Sequence, residues 1–186
     1  MQDDYQTSLK SRVSLSGFGV HSGAPVTVHF MPGEADTGIV FQRTGPDGEA
    51  REFRALVTEI GATDLCTMLG DPSGPHVATV EHLMAAVFGL GIDNMIIEIE
   101  GDEVPILDGT AVPFVEAFDQ AGIDILPVKR RYIRITKPTR IESGASWAEF
   151  RPYPGTRFEI EIDFESPAIG RQNFASDINP EVFRRD

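Results

Sequence analysis

The sequence predicts an α+β fold in which a β-first unit is followed by an incomplete duplicate of itself. Three observations predict it. Strand-like alternation fills the first third of the chain. From Thr79 the pattern changes to helix, strand and second helix, ending at Gly122. Strand-like runs return beyond Arg131, around a short motif that also occurs in the first third.

The elements follow in order. Val26, Val28 and Phe30 alternate with Thr27 and His29, the period-2 pattern of a half-buried strand, and Pro32-Gly33 stops it. Gly38 to Arg43 reads as a second strand after an acidic turn, and Glu52 to Ile60 and Leu65 to Leu69 as further ones. Val80, Leu83, Met84, Val87 and Phe88 then fall at helical spacing, with Thr79 as N-cap, Glu81 in the first turn, and Gly89 and Gly91 at the end. Asn94 to Glu100 is a strand, and Gly101 to Gly109 a loop. Val112 to Ala121 is a second helix, with Phe114, Val115 and Phe118 on one face and Gly122 closing it.

A junction at Leu126 to Arg131, where Pro127 meets Lys129-Arg130-Arg131, sets a domain boundary near residue 127, giving domains 1–127 and 128–186. Tyr132 to Thr136, Ser146 to Phe150 and Phe158 to Phe164 read as strands of the second. Ser22-Gly23-Ala24 precedes the strand ending at Pro32, and Ser143-Gly144-Ala145 precedes the one ending at Pro152, which suggests a duplication. Asn179-Pro180-Glu181 is a helix start followed by only a turn or two, so the second copy is expected to be incomplete.

Composition narrows the function classes. Of 186 residues, 41% are hydrophobic and 24% charged, ordinary for a chain that buries a core. Sixteen Lys+Arg against 29 Asp+Glu leave a net charge of −13, the wrong sign for neutralising a nucleic-acid backbone or an anionic membrane. Apolar runs fall well short of the roughly 20 residues that span a bilayer, and the acidic start Met1-Gln2-Asp3-Asp4-Tyr5 is unlike a signal peptide. Cys66 stands alone, so internal disulfides and Cys-based metal clusters are excluded. The expectation is a soluble cytoplasmic protein without nucleic-acid partners.

Few residues suggest chemistry. His29 alternates within a strand as a surface or rim residue, and His76 sits in a Gly-Pro turn. Gly17 to Gly23 is Gly-rich but lacks the Lys-Ser/Thr ending of a phosphate loop and opens no helix. Glu81-His82 lies at the start of an apolar helix, where adjacent side chains project about 100° apart and can border one cavity. One could bind a metal while the other moves a proton. The plainer reading is an acid favoured by the helix dipole beside a satisfied histidine, and pattern alone favours it. A catalytic zinc wants about three protein ligands, and one histidine is not a zinc site.

A family resemblance changes that balance. Gly17-Phe18-Gly19-Val20-His21-Ser22-Gly23, Asp64-Leu65-Cys66-Thr67, Ala78-Thr79-Val80-Glu81-His82-Leu83-Met84-Ala85-Ala86, Gly89-Leu90-Gly91-Ile92-Asp93-Asn94 and Pro105-Ile106-Leu107-Asp108-Gly109-Thr110-Ala111-Val112-Pro113-Phe114 stand in order along the chain. With Trp147-Ala148-Glu149-Phe150 and Ser166-Pro167-Ala168-Ile169, they resemble the UDP-3-O-acyl-N-acetylglucosamine deacetylases, zinc hydrolases of bacterial lipid A, and hence lipopolysaccharide, synthesis. The resemblance implies that His82 is a zinc ligand, Glu81 the general base, and Leu65 and Cys66 part of the substrate site, with Asp64 replacing a more usual apolar residue. It also implies two similar α+β domains, each a two-layer sheet-and-helix unit like the second domain of ribosomal protein S5. The remaining zinc ligands that it implies, a His and an Asp in an HxxxD pattern, are not among the 186 residues, nor are the family's catalytic lysine, second catalytic histidine and oxyanion threonine. The expectation is therefore a truncated piece that neither holds Zn2+ tightly nor turns over substrate alone. The alternative is a short non-catalytic paralogue acting as a binding or regulatory module.

Overall fold

The structure, a computed structural model, describes residues 4–44 and 49–185. Met1 to Asp3 of the acidic start lie outside the described residues. The chain divides into two compact units, one running to Arg130 and one from Arg131.

In the first unit the order is β1 (Tyr5–Leu9), β2 (Val13–Phe18), β3 (Pro25–Pro32), β4 (Ile39–Thr44), β5 (Ala50–Arg54), a single 3-10 turn (Val57–Glu59), β6 (Ile60–Ala62), β7 (Met68–Gly70), β8 (His76–Val77), α1 (Glu81–Gly89), β9 (Met95–Glu100), α2 (Val112–Ala121) and β10 (Ile123–Lys129). The main sheet has the order β2-β3-β9-β4-β5, with β4 and β9 parallel and the other pairs antiparallel. Its inner face carries Val26, Val28 and Phe30 of β3, Phe41 of β4 and Met95, Ile97 and Ile99 of β9. These form one core with Leu83, Ala86 and Val87 of α1 and Phe114, Phe118 and Ala121 of α2. The alternate residues, among them Ser14, Ser16, Gln42 and Glu98, make a polar outer face, where Ser14 Oγ bonds His29 Nδ1 at 2.7 Å. A sheet covered on one side by two helices is the α+β arrangement predicted above. The strand expected over Val26–Phe30 and the helix expected over Val112–Ala121 appear as β3 and α2.

Several local expectations are corrected. The strand expected from Glu52 to Ile60 breaks after Arg54, and a 3-10 turn separates β5 from β6. Of Leu65 to Leu69 only the end belongs to a strand, because Leu65 has a left-handed backbone, φ +62°, incompatible with a ladder. Tyr132 to Thr136 forms no strand, and Ile133 is 94% exposed.

β1 and β10 pair antiparallel, Leu9 opposite Ile123 and Tyr5 opposite Lys129, joining the two ends of the first unit. Arg130 continues that unit beyond the boundary expected near 127: its Nε and Nη2 donate to Asp93 Oδ2 at 3.0 and 2.6 Å, and Nη2 also to the Gly91 carbonyl at 2.8 Å. Pro127 lies inside β10.

Asn94, 1% exposed, ties three segments together. Its Nδ2 donates to Gln6 Oε1 at 3.0 Å and to the Thr7 carbonyl at 3.2 Å, while its Oδ1 accepts the Gly38 N–H at 3.0 Å. Removing one partner from a buried hydrogen-bonded set leaves the others unpaired. Asn94→Ala is expected to cost about 2–3 kcal/mol in urea unfolding.

In the second unit, β11 (Thr139–Ser143) and β12 (Ser146–Phe150) form a hairpin, as do β13 (Arg157–Asp163) and β14 (Arg171–Asp177), and α3 (Pro180–Arg185) follows. α3 starts where the sequence predicts, with Asn179 Oδ1 accepting the N–H groups of Glu181 and Val182 at 3.0 and 2.9 Å. On β13–β14, Phe158, Ile160, Ile162 and Phe174 share one exposed face, while Glu161 on the other pairs with Arg171 at 2.8 Å. Among the described residues no helix is long and apolar enough to cross a membrane.

Candidate functional site

The site is assembled where four segments of the first unit meet at the start of α1. The 101–109 loop runs beside the lead-in to the helix, with the Ala78 N–H bonded to the Asp102 carbonyl at 2.8 Å and the Val104 N–H to the Ala78 carbonyl at 3.0 Å. Arg43, itself buried, pairs with Asp102 and donates to the His76 carbonyl at 3.3 Å, fixing the base of that loop. The end of β2 joins through the Phe18 carbonyl, which accepts the Ile106 N–H at 3.0 Å. On the other side Glu81 Oε1 accepts the Thr67 N–H, bringing the loop that carries Leu65 and Cys66 against the first turn of α1.

Glu81 and His82 are the first two residues of α1. The Glu81 carboxylate is exposed, at the end of the helix where the dipole favours negative charge. His82 is half-buried, its ring edge-on to Phe114 at 5.2 Å between centroids. Its Nε2 lies 3.2 Å from the Pro105 carbonyl. A carbonyl only accepts, so Nε2 is the donor of this bond, and in the neutral ring that leaves the lone pair on Nδ1, the form in which an imidazole binds a metal. Leu65 is 94% exposed at the tip of its loop; Cys66 is half-buried and in no disulfide.

Thr79 is not the N-cap expected from the sequence. The cap position falls at Val80, without a side-chain bond, and Thr79 sits in the left-handed region at φ +58°. Its hydroxyl donates instead to Glu103 Oε1 at 2.9 Å. Glu103, 4% exposed, also accepts the His21 N–H on Oε1 at 3.0 Å and the Ser22 N–H on Oε2 at 2.9 Å. The Gly-rich loop is thereby wrapped around a carboxylate. Gly19 gives it room, because a Cβ there would stand 2.2 Å from both Glu103 Oε2 and Ser22 Oγ and one of these side chains would have to move.

Burial alone would raise the Glu103 pKa, but the His21 and Ser22 N–H groups, with the Ser22 and Thr79 hydroxyls, outweigh it and lower it from 4.5 to about 2. With the folded pKa below the unfolded one, this stabilisation is fully present above 4.5 and is lost as pH falls toward about 2. Its size is about 3 kcal/mol. The stability gap between wild type and Glu103→Gln, measured by urea unfolding, should therefore shrink as pH is lowered from about 6 to about 3.

Asp108 is the other acid that the residue pattern did not mark. The Thr110 N–H and hydroxyl, each 2.9 Å from Oδ1, hold its carboxyl below the usual carboxylate range, with a smaller contribution from His82. Neither acid has a signal in residue spacing: both lie in a loop whose turn residues explain themselves.

A family model described as UDP-3-O-acyl N-acetylglycosamine deacetylase matches residues 6–186. The chain belongs to that family. Proteins of Brucella ovis, Brucella canis and Brucella melitensis, each named UDP-3-O-acyl-N-acetylglucosamine deacetylase, are 56% identical to it over 182 residues. The match covers 98% of this chain and 63% of each relative. Among the described residues no group of three or more His, Cys, Asp or Glu side chains is placed to hold an ion. His82 has the right chemistry for one ligand, but the described residues do not fit a complete catalytic zinc site.

Proposed function

We propose that this chain carries the general base and one metal-ligating imidazole of a zinc-dependent deacetylase that hydrolyses the N-acetyl group of UDP-3-O-acyl-N-acetylglucosamine, releasing acetate in the committed step of lipid A synthesis. The observation that carries the reading is the placement of Glu81 and His82 together at the open start of α1, with Glu81 held by the Thr67 N–H and His82 by the Pro105 carbonyl.

In this reading Glu81 removes a proton from the attacking water as the oxygen adds to the acetamide carbon, and a protonated group returns one to the leaving amine. The Thr67 N–H keeps the carboxylate oriented without protonating it. Leu65 and Cys66, on the loop next to Thr67, contact the substrate. His82 offers the Nδ1 lone pair, and the other zinc ligands come from outside the described residues, so no step is assigned to the metal. The protein works in the cytoplasm, and its net charge of −13 supports a reading without nucleic-acid partners.

The test compares this chain, alone and joined to the length that the Brucella relatives carry beyond the match, with Glu81→Ala as control. The chain alone should bind no zinc tightly and release no acetate. The joined protein should bind about one zinc, as a single catalytic site requires, and release acetate in a Glu81-dependent way. A joined protein that folds, binds zinc and leaves the substrate untouched would sink the deacetylase reading.

A further inference from the structure

Glu103 is a nearly buried carboxylate to which the reaction above gives no task. Placing a charge at such a position is unfavourable unless its partners need one. Those partners are the amides of the Gly17–Gly23 loop and the hydroxyl of Thr79. Thr79 is β-branched and left-handed, a conformation that persists only when its surroundings hold it. It stands two residues ahead of Glu81 and directly before Val80, the cap position of α1, which makes no side-chain bond of its own. From the same Glu103 the backbone runs two residues on to Pro105, whose carbonyl receives the His82 Nε2–H. One residue thus sets both the start of the helix that bears the ring and the acceptor that orients it.

We propose that Glu103 is a positioning residue of the site, which through Thr79 and Pro105 holds His82 in the Nε2–H form with its Nδ1 lone pair presented outward. Its importance for turnover rests on the deacetylase reading; the positioning itself does not. Neutral Gln in its place keeps one acceptor oxygen but sets an amide NH2 against the Ser22 N–H, two donors facing each other. Thr79→Ala removes the hydroxyl together with the γ-methyl, and Thr79→Ser restores the hydroxyl alone, so the pair isolates the bond to Glu103.

The test is histidine-ring 15N NMR of the full chain without metal or substrate, at about pH 8, where an ordinary imidazole is neutral. Wild-type His82 should be in the Nε2–H form. Glu103→Gln and Thr79→Ala should each lower the ratio of Nε2–H to Nδ1–H several-fold, and Thr79→Ser should keep it. Val87→Ala, which loosens the buried side of the same helix, should lower stability and leave the ratio alone. An unchanged ratio in Thr79→Ala, or an equal shift in Val87→Ala, would overturn the proposal. If Glu103→Gln does not fold, the Thr79 pair still decides. A failed deacetylation assay leaves this measurement intact, so the two readings fail separately.

Discussion

Glu81→Gln is expected to lower acetate release by about 10²- to 10⁴-fold, the range that a positioned general base contributes, with KM little changed. The substitution conserves shape, and the Gln side-chain carbonyl can still accept the Thr67 N–H, so the loop bearing Leu65 and Cys66 should keep its place. What is lost is the ability to take a proton. The measurement is kcat and KM for the protein joined to the length of its relatives, with zinc content determined on the same sample. A rate within tenfold of wild type would remove Glu81 from the chemistry. A rise in KM with kcat unchanged would make it a binding residue instead.

Phe30→Ala should be the most damaging substitution in the first unit, costing about 3–5 kcal/mol in urea unfolding. Phe30 is fully buried in the middle of the sheet. It meets Phe118 edge-on at 5.0 Å and Phe114 edge-on at 6.2 Å between centroids, so it is the contact through which α2 packs on β3. Each such aromatic pair contributes about 0.5–1.5 kcal/mol beyond its buried area. Phe114 also backs the His82 ring, so the cavity opens directly behind the site. Val57, 83% exposed, is the control: Val57→Ala should stay within about 0.5 kcal/mol of wild type. A small effect at Phe30 would mean that the helices are held by something other than this aromatic cluster.

Legibility in the sequence follows the range of the interaction concerned. α2 was readable to the residue because its apolar face, its Pro in the first turn and Gly122 at φ +75° are all local signals. β3 and β13 were readable because one face of each is apolar over several alternations. β1 and β10 were not read as strands, since each is defined by the other more than 110 residues away and neither alternates cleanly. Tyr132 to Thr136 shows the converse: local alternation suggests a strand, yet no ladder forms there. The candidate site divides the same way. Glu81 and His82 are adjacent and recur with a family pattern, so the sequence could point to them. Glu103 gains its role only from Thr79, 24 residues earlier, and from His21 and Ser22, more than 80 residues earlier.

By itself the sequence determined the α+β class, the helix that bears Glu81 and His82, and the family, because periodicity and contiguous motifs are properties of neighbouring residues. Only the tertiary structure decided that Thr79 turns left-handed onto Glu103 instead of capping α1, that the Gly-rich loop closes around that carboxylate, and that the Pro105 carbonyl selects the His82 tautomer. Each of these is a buried polar group meeting its hydrogen-bond requirement across the fold, and such a partner is chosen by three-dimensional proximity, which no local pattern records.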